Sequence, residues 1–217
     1  MGRRPHDRSH LLIRPESPGV PTKLFHNSIT RWLTAHLSDD MAFDEGSGGV
    51  VESMAYSKGD GLVCGKIPIG ILVEGFFPSC NLNWFVGDGD VVSTGDRVLS
   101  LSGPSASVLS CERVLLNILG RLSGISTLTS EWVREARGIG VASTRKTAWG
   151  LLDKWAVHVG GGLTHRLSRG DALMIKENDL GVISTDSGSG DSIPTAIFSI
   201  DLEANAEFTV IEVQGPD

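Results

Sequence analysis

The sequence predicts an α/β protein: an N-terminal open-faced α/β sandwich followed by a partial (β/α) barrel. Three observations carry this. Short apolar runs at Val141-Ala142-Ser143-Thr144, Ala172-Leu173-Met174-Ile175 and Phe208-Thr209-Val210-Ile211 each lead into polar groups. Runs of this length are too short for helices and read as strands covered on both faces. Helical patterns such as Leu151 to Val157 lie between them, and alternating strands and helices make parallel βα units. Further upstream, Val50 to Gly103 is cut into strand-like pieces by Lys58-Gly59-Asp60-Gly61, Gly87-Asp88-Gly89-Asp90 and Thr94-Gly95-Asp96, all of them turn sequences.

Composition sets the bounds. The 217 residues, 40% of them hydrophobic, suffice for one large or two small domains with a real core. Nineteen Lys/Arg stand against 26 Asp/Glu, a formal net charge of −7, which argues against a nucleic-acid-binding face. Cys64, Cys80 and Cys111 share no metal-ligand spacing and suit small buried thiols in a reducing compartment. No apolar run approaches membrane-spanning length. Leu11-Leu12-Ile13 is too short an apolar segment for a signal peptide, so a cytoplasmic protein is expected.

Taken in order, residues 1–22 mix Arg, His, Pro and Ser with little to bury, which predicts a flexible basic arm. Leu24, Phe25, Ile29, Trp32, Leu33 and Leu37 recur at helical spacing and predict a helix from Thr22 to Leu37. Asp39 to Gly49 is acidic and glycine-rich, a loop. The region 23–138 is expected to form the sandwich domain, closed by a long helix from Ser110 to Arg137. Ser110 is the expected cap, and Glu112 suits the positive end of the helix dipole. Leu115, Ile118 or Leu119, Leu122, Ile125, Leu128 and Trp132 make its apolar stripe. Arg113, Asn117, Gly120 and Gly124 lie on another face, suited to a subunit interface or to ordinary core packing, and Gly124 is a possible break. The barrel portion is expected over 139–217. Within it, Ser184 to Asp191 reads as a polar loop, either a phosphate cradle or plain surface, and Ile193 to Ala206 as a helix.

Charge is distributed unevenly. Arg145 to Asp179 carries six Lys/Arg against four Asp/Glu, a cationic island in an acidic chain. Polar groups at strand C-terminal ends are where β/α barrels hold ligands, so the island suits a small anion, although charged loops are common. His165 and Arg166 follow the triplet Gly160-Gly161-Gly162, which serves either a site or flexibility.

Three motifs sharpen this. Thr144-Arg145-Lys146-Thr147, Gly160-Gly161-Gly162-x-x-His165-Arg166 and Asp171-x-x-x-Ile175-Lys176-x-Asn178, in this order and spacing, resemble the quinolinate phosphoribosyltransferase family (nicotinate-nucleotide pyrophosphorylase, decarboxylating). Upstream, Glu112-Arg113-x-x-x-Asn117 and Leu122-Ser123-Gly124-Ile125 match the same family. The resemblance covers roughly Leu24 to Gln214. It implies a pentosyltransferase of NAD biosynthesis that joins quinolinate to phosphoribosyl pyrophosphate, leaving nicotinate mononucleotide, pyrophosphate and carbon dioxide. It implies that Arg145, His165, Arg166 and Lys176 hold quinolinate and that Lys146 binds the phosphoribosyl substrate, with Lys146 and Lys176 as the catalytic cations. Arg113 is implied to reach into a neighbour's site, so the active form is a homodimer or larger. Magnesium is the implied cofactor, with Glu212 as its ligand. No nucleic-acid or membrane partner is implied.

Departures from the family pattern are also legible. Gln214 replaces the second carboxylate of a Glu-Val-Glu element, Thr164 stands for Asn and Asp179 for His, and a Gly-Asp-x-Thr element is missing near Asp39 to Gly49. The chain also stops before the family's Leu-Asp-Asn and Ser-Gly-Gly elements. Three strands cannot close a barrel, so the barrel is expected to be truncated and the chain as written not to turn over. Two other readings stand beside the enzyme: a molybdenum-associated homologue taking a different acid, and a non-catalytic anion-binding remnant.

Overall fold

The structure is a computed structural model that describes residues 6–41, 47–168, 170–176 and 207–212. The chain divides into two compact units, Arg8–His165, and Met1–Asp7 together with Arg166–Asp217.

The larger unit is built around a central strand. Strands β1 (Val50–Tyr56), β3 (Asn81–Trp84) and β5 (Arg97–Pro104) form an antiparallel sheet in the order β1-β5-β3. Four successive residues of β5, Val98 to Leu101, are buried. Because successive side chains point to opposite faces, the sheet is covered on both sides there. A small second ladder pairs β2 (Gly61–Leu62) with β4 (Val91–Val92). Cys64, Cys80 and Cys111 are buried thiols, and burial pushes the Cys111 thiol up to about 12.

Helix α1 (Lys23–Asp39) follows the predicted pattern. The Thr22 hydroxyl accepts from the Phe25 N–H at 3.3 Å, and Phe25, Ile29, Leu33 and Leu37 form a fully buried stripe at four-residue spacing. Each such side chain contributes about 1.5–3 kcal/mol by leaving water. The preceding segment differs from the flexible arm expected for 1–22. From Arg8 onward it is packed: Ser9–Leu11 is a turn of 3₁₀ helix, Leu12 is fully buried, and the Thr22 N–H and hydroxyl bond the Leu12 and Leu11 carbonyls. One apolar anchor with satisfied backbone groups is enough to order a polar segment. Residues 1–5 lie outside the described part.

A second difference is helix α2 (Lys66–Phe76), in a stretch read as strands and turns. Asp88 explains it. Its Oδ1 accepts the N–H groups of Gly65 at 2.8 Å and Lys66 at 2.9 Å, capping the helix from 22 residues downstream. Pro68 falls in the first turn, where a missing N–H costs nothing.

Helix α3 (Ser105–Glu135) starts directly after β5, five residues before the predicted Ser110, and runs unbroken through Gly124. Its Ser105 N–H bonds the Gly49 carbonyl at 3.0 Å, so the sheet edge sets where the helix begins. The predicted stripe holds for Leu115, Ile118 and Leu122. Beyond them the buried face shifts to Ser126 and Thr129, leaving Leu128 and Trp132 exposed. That shift follows from α4 (Leu151–Val159), which packs on α3. The Ser126 hydroxyl donates to the Ala156 carbonyl at 2.8 Å. A Cβ on Gly160 would run into the Ser126 carbonyl, and one on Gly162 would lie 2.9 Å from Thr129 Cγ2. The glycine triplet therefore serves close packing of α4 against α3.

Of the three predicted parallel strands, the first is reduced to one parallel bridge, Ala142 with Leu163. The other two form in the smaller unit. There β6 (Leu173–Ile175) pairs in parallel with β7 (Thr209–Ile211), Leu173 opposite Thr209 and Ile175 opposite Ile211. His6 packs edge-on against Phe208, ring centroids 4.5 Å apart. The described residues contain no closed barrel. The predicted loop at 184–191 and helix at 193–206 fall outside them. No helix among them is long and apolar enough to cross a membrane.

Candidate functional site

In the smaller unit, two of the predicted residues meet at the carboxyl end of the parallel pair. Lys176 follows β6 and Glu212 follows β7, and the Lys176 ammonium lies 3.1 Å from a Glu212 carboxylate oxygen. Both are about half exposed. The Glu212 N–H bonds the Ile175 carbonyl at 2.9 Å, so strand pairing itself brings the two together. Arg166 is buried in the same unit, its guanidinium donating to the Ala172 carbonyl at 3.3 Å and lying 3.0 Å from the Met174 sulfur. The loop joining Arg166 to β6 is tied by the Leu167 N–H to Asp171, at 3.0 Å. Gln214, Asn178 and Asp179 lie outside the described residues.

In the larger unit, Arg145 and Lys146 stand exposed on the loop 143–149, not at the end of a strand. The Lys146 N–H bonds the Thr144 hydroxyl at 3.1 Å, a local turn that presents both cations to solvent. His165 is half-buried and adopts a left-handed backbone, φ +53°. Arg113 projects from α3 with 74% of its side chain exposed and pairs with Asp40 at 3.1 Å. It does not join the other predicted cations of its unit.

The loop has a foundation that motif reading did not single out. Asp153 and Lys154, adjacent on the first turn of α4, are 4% and 2% exposed. Asp153 accepts two parallel hydrogen bonds from Arg121, both 2.8 Å, and one from the Trp149 N–H at 2.9 Å. The Arg121 guanidinium also lies 4.8 Å from the Trp149 ring centroid, and its hydrogen bonds to Asp153 raise its pKa further. Lys154 donates to the Ser143 hydroxyl at 3.0 Å and to the Thr164 carbonyl at 2.6 Å. A signal for these residues existed in the sequence, since adjacent opposite charges interrupt the apolar run Leu151 to Val157.

A half-buried ring cluster flanks the loop. Trp149 stacks on Trp32 at 6.1 Å and meets His36 at 4.4 Å. Burial holds the His36 imidazole below its usual pKa, with Asp39 opposing and Arg121 adding to the effect.

Among the described residues no group of three His, Cys, Asp or Glu side chains is placed to hold a metal ion. Among the described residues the sheet end offers one carboxylate, Glu212, and magnesium is commonly held by one or two carboxylates together with phosphates.

Comparison with known proteins agrees across the chain. A model of the quinolinate phosphoribosyl transferase N-terminal domain matches residues 38–123, and one of the C-terminal domain matches residues 125–214. Quinolinate phosphoribosyltransferase [decarboxylating] 1 of Nicotiana glauca is 37% identical over 212 residues, covering 94% of this chain and 58% of the relative. A probable nicotinate-nucleotide pyrophosphorylase [carboxylating] of Archaeoglobus fulgidus is 40% identical over 138 residues, covering 61% of this chain and 53% of its own length. The crystal structure of NadC from Streptococcus pyogenes superposes with a TM-score of 0.73 at 30% identity, covering 87% of this chain and 70% of that one. The chain thus spans a little over half the length of these two curated relatives.

Proposed function

The chain belongs to the quinolinate phosphoribosyltransferase family, and from that premise we propose that it serves the family reaction, transfer of a phosphoribosyl group to quinolinate with loss of carbon dioxide. The observation that carries this reading is the Lys176–Glu212 pair. It sets a cation and a carboxylate at the carboxyl end of two parallel strands, the edge where α/β sheets take up ligands.

Both substrates are anions, and this chain's residues would act by charge and position. The forked guanidinium of Arg145 suits a ring carboxylate, and Lys146 beside it supplies a point charge for phosphate. The family resemblance assigns quinolinate binding to Arg166, whose orientation is fixed by the Ala172 carbonyl, to Lys176, and to His165. In the transfer, the pyridine nitrogen forms its bond to the anomeric carbon. The bond from that carbon to pyrophosphate breaks and its electron pair leaves with pyrophosphate, and Lys146 offsets the charge that grows there. Loss of carbon dioxide then leaves an electron pair on the ring carbon, where a proton takes its place, and Lys176 at the sheet end stabilises that charge. Magnesium, met by Glu212, would supply further positive charge to the departing phosphates.

The reading includes a homodimer in which Arg113 serves a neighbouring site. Its exposed ion pair with Asp40 supports this, because a surface pair of this kind contributes only about 0–1 kcal/mol and is readily exchanged. The buried thiols support a reducing compartment such as the cytoplasm.

Calorimetric titration tests the assignment. Arg145→Ala is expected to weaken quinolinate binding roughly tenfold to a hundredfold, the worth of a charge-assisted hydrogen bond, and to affect phosphoribosyl pyrophosphate much less. Equal losses for the two ligands would overturn it.

A further inference from the structure

We infer that Asp153 and Lys154 are positioning residues that clamp the two ends of the loop 143–149, and so hold Arg145, Lys146 and His165 in register for an anionic substrate; the inference rests on the phosphoribosyltransferase reading of the chain.

Each of the two is at least nine-tenths buried, and a buried charge is costly unless its hydrogen-bonding capacity is met. Here part of that capacity is spent on the loop. Asp153 holds the Trp149 N–H, at the loop's far end, and is itself fixed by the two-pronged Arg121, which lies over the Trp149 ring. Lys154 holds the Ser143 hydroxyl, at the near end, and the Thr164 carbonyl, one residue before His165. Ser143 closes the triangle, its hydroxyl donating to the same Thr164 carbonyl at 2.9 Å. The Ser143 N–H to Leu163 carbonyl bond, 3.0 Å, and the Leu163 N–H to Val141 carbonyl bond, 2.8 Å, add backbone ties at this end, and the Leu152 N–H to Trp149 carbonyl bond, 3.2 Å, adds one at the other. Neighbouring residues on a helix point about 100° apart, so one turn of α4 reaches both ends of the loop. Between the ends Arg145 and Lys146 stay exposed, and their main-chain path is set from below by groups that no substrate need touch.

The test is amide hydrogen exchange on the whole protein, with quinolinate titration alongside. Lys154→Met keeps the stem and removes the ammonium; Asp153→Asn keeps the shape and removes the charge. Each is expected to speed exchange in 143–149 about tenfold, the scale of one lost hydrogen bond, with α1 and the first half of α3 unchanged. Lys154→Met is expected to speed Leu163 as well. Quinolinate binding, measured where the variants are fully folded, is expected to weaken roughly tenfold to a hundredfold, the scale for a displaced binding group. A purely structural role would lower the melting temperature and leave the affinity of the folded protein unchanged. That result, or exchange that rises evenly over the chain, overturns the inference. If the unsubstituted protein takes up no quinolinate, the phosphoribosyltransferase reading fails and the exchange pattern alone decides the clamp. Should Lys154→Met not fold, Ser143→Ala, which deletes one hydroxyl, is expected to give the same local pattern on a smaller scale, and its absence overturns the inference equally.

Discussion

His36 is half-buried, its ring tilted against that of Trp149 at 4.4 Å, with its Nε2 buried and unpartnered. Removing it from water disfavours the charged imidazole, and nearby Arg121 adds to this while Asp39 opposes it. A histidine whose folded pKa is lowered contributes stability that is present above its ordinary value near 6.5 and is lost as the pH falls through the folded value. The melting temperature should therefore drop between about pH 7 and pH 5, and His36→Phe should flatten that part of the decline. Parallel declines in the two proteins would rule out His36 as the titrating group. Trp149 is shared by this cluster and by the Arg121–Asp153 brace, so acid should also be felt at the loop that carries Arg145 and Lys146.

At the scale of elements, α2 shows how a distant side chain can decide secondary structure. Asp88 caps it through two N–H groups, and burial raises the pKa of its carboxyl against the pull of those donors. The raised value means that ionisation of Asp88 costs stability: its contribution is fullest below the ordinary carboxylate range and is lost as the pH rises through the folded value. The acceptor oxygen, not the charge, is then what the helix needs. Asp88→Ala should destabilise the protein by about 1–2 kcal/mol, the usual cost of a lost cap, and Asp88→Asn by clearly less. Denaturant melts of the two variants near neutral pH would separate them, and equal losses would count against this account. Helix α3 makes a related point, since its start is set by pairing with Gly49 and its buried face changes where α4 arrives.

For the whole molecule, the exposed side of α3 carries the consequence. Leu109, Leu116, Leu128 and Trp132 are all exposed there. A cavity of about 590 Å³ reaches two of them, Leu116 and Leu128, and is also lined by Leu119, Gly120 and Gly124 among others. Exposed apolar surface with an adjacent cavity favours association, and the proposed homodimer supplies a partner. Leu116→Glu together with Leu128→Glu should convert a dimer to monomers in sedimentation. Melting of the isolated chain should change little, because surface substitutions typically stay within about 0.5 kcal/mol. A dimer that persists in the double variant would place the interface elsewhere.

What could be read from the sequence is what depends on near neighbours. Four-residue spacing located α1, runs of apolar residues located β6 and β7, and motif order identified the family, whose two domain models then matched 38–123 and 125–214. The cations Arg145, Lys146 and Lys176 were visible because strand ends and loops keep their polar residues in local order. Tertiary structure decided the rest. The helix at 66–76 depends on a carboxylate 22 residues away, and the packed segment after Arg8 depends on the burial of Leu12. The 141–144 run became a single bridge because only Leu163, just past the turn at Gly160 and Gly161, lies alongside it as a ladder partner. The glycine triplet takes its meaning from Ser126 and Thr129 on another helix. Asp153 and Lys154 look like ordinary charges on an amphipathic helix until the fold buries them. A buried polar group must find partners wherever they are, and only the folded chain says which ones came within reach.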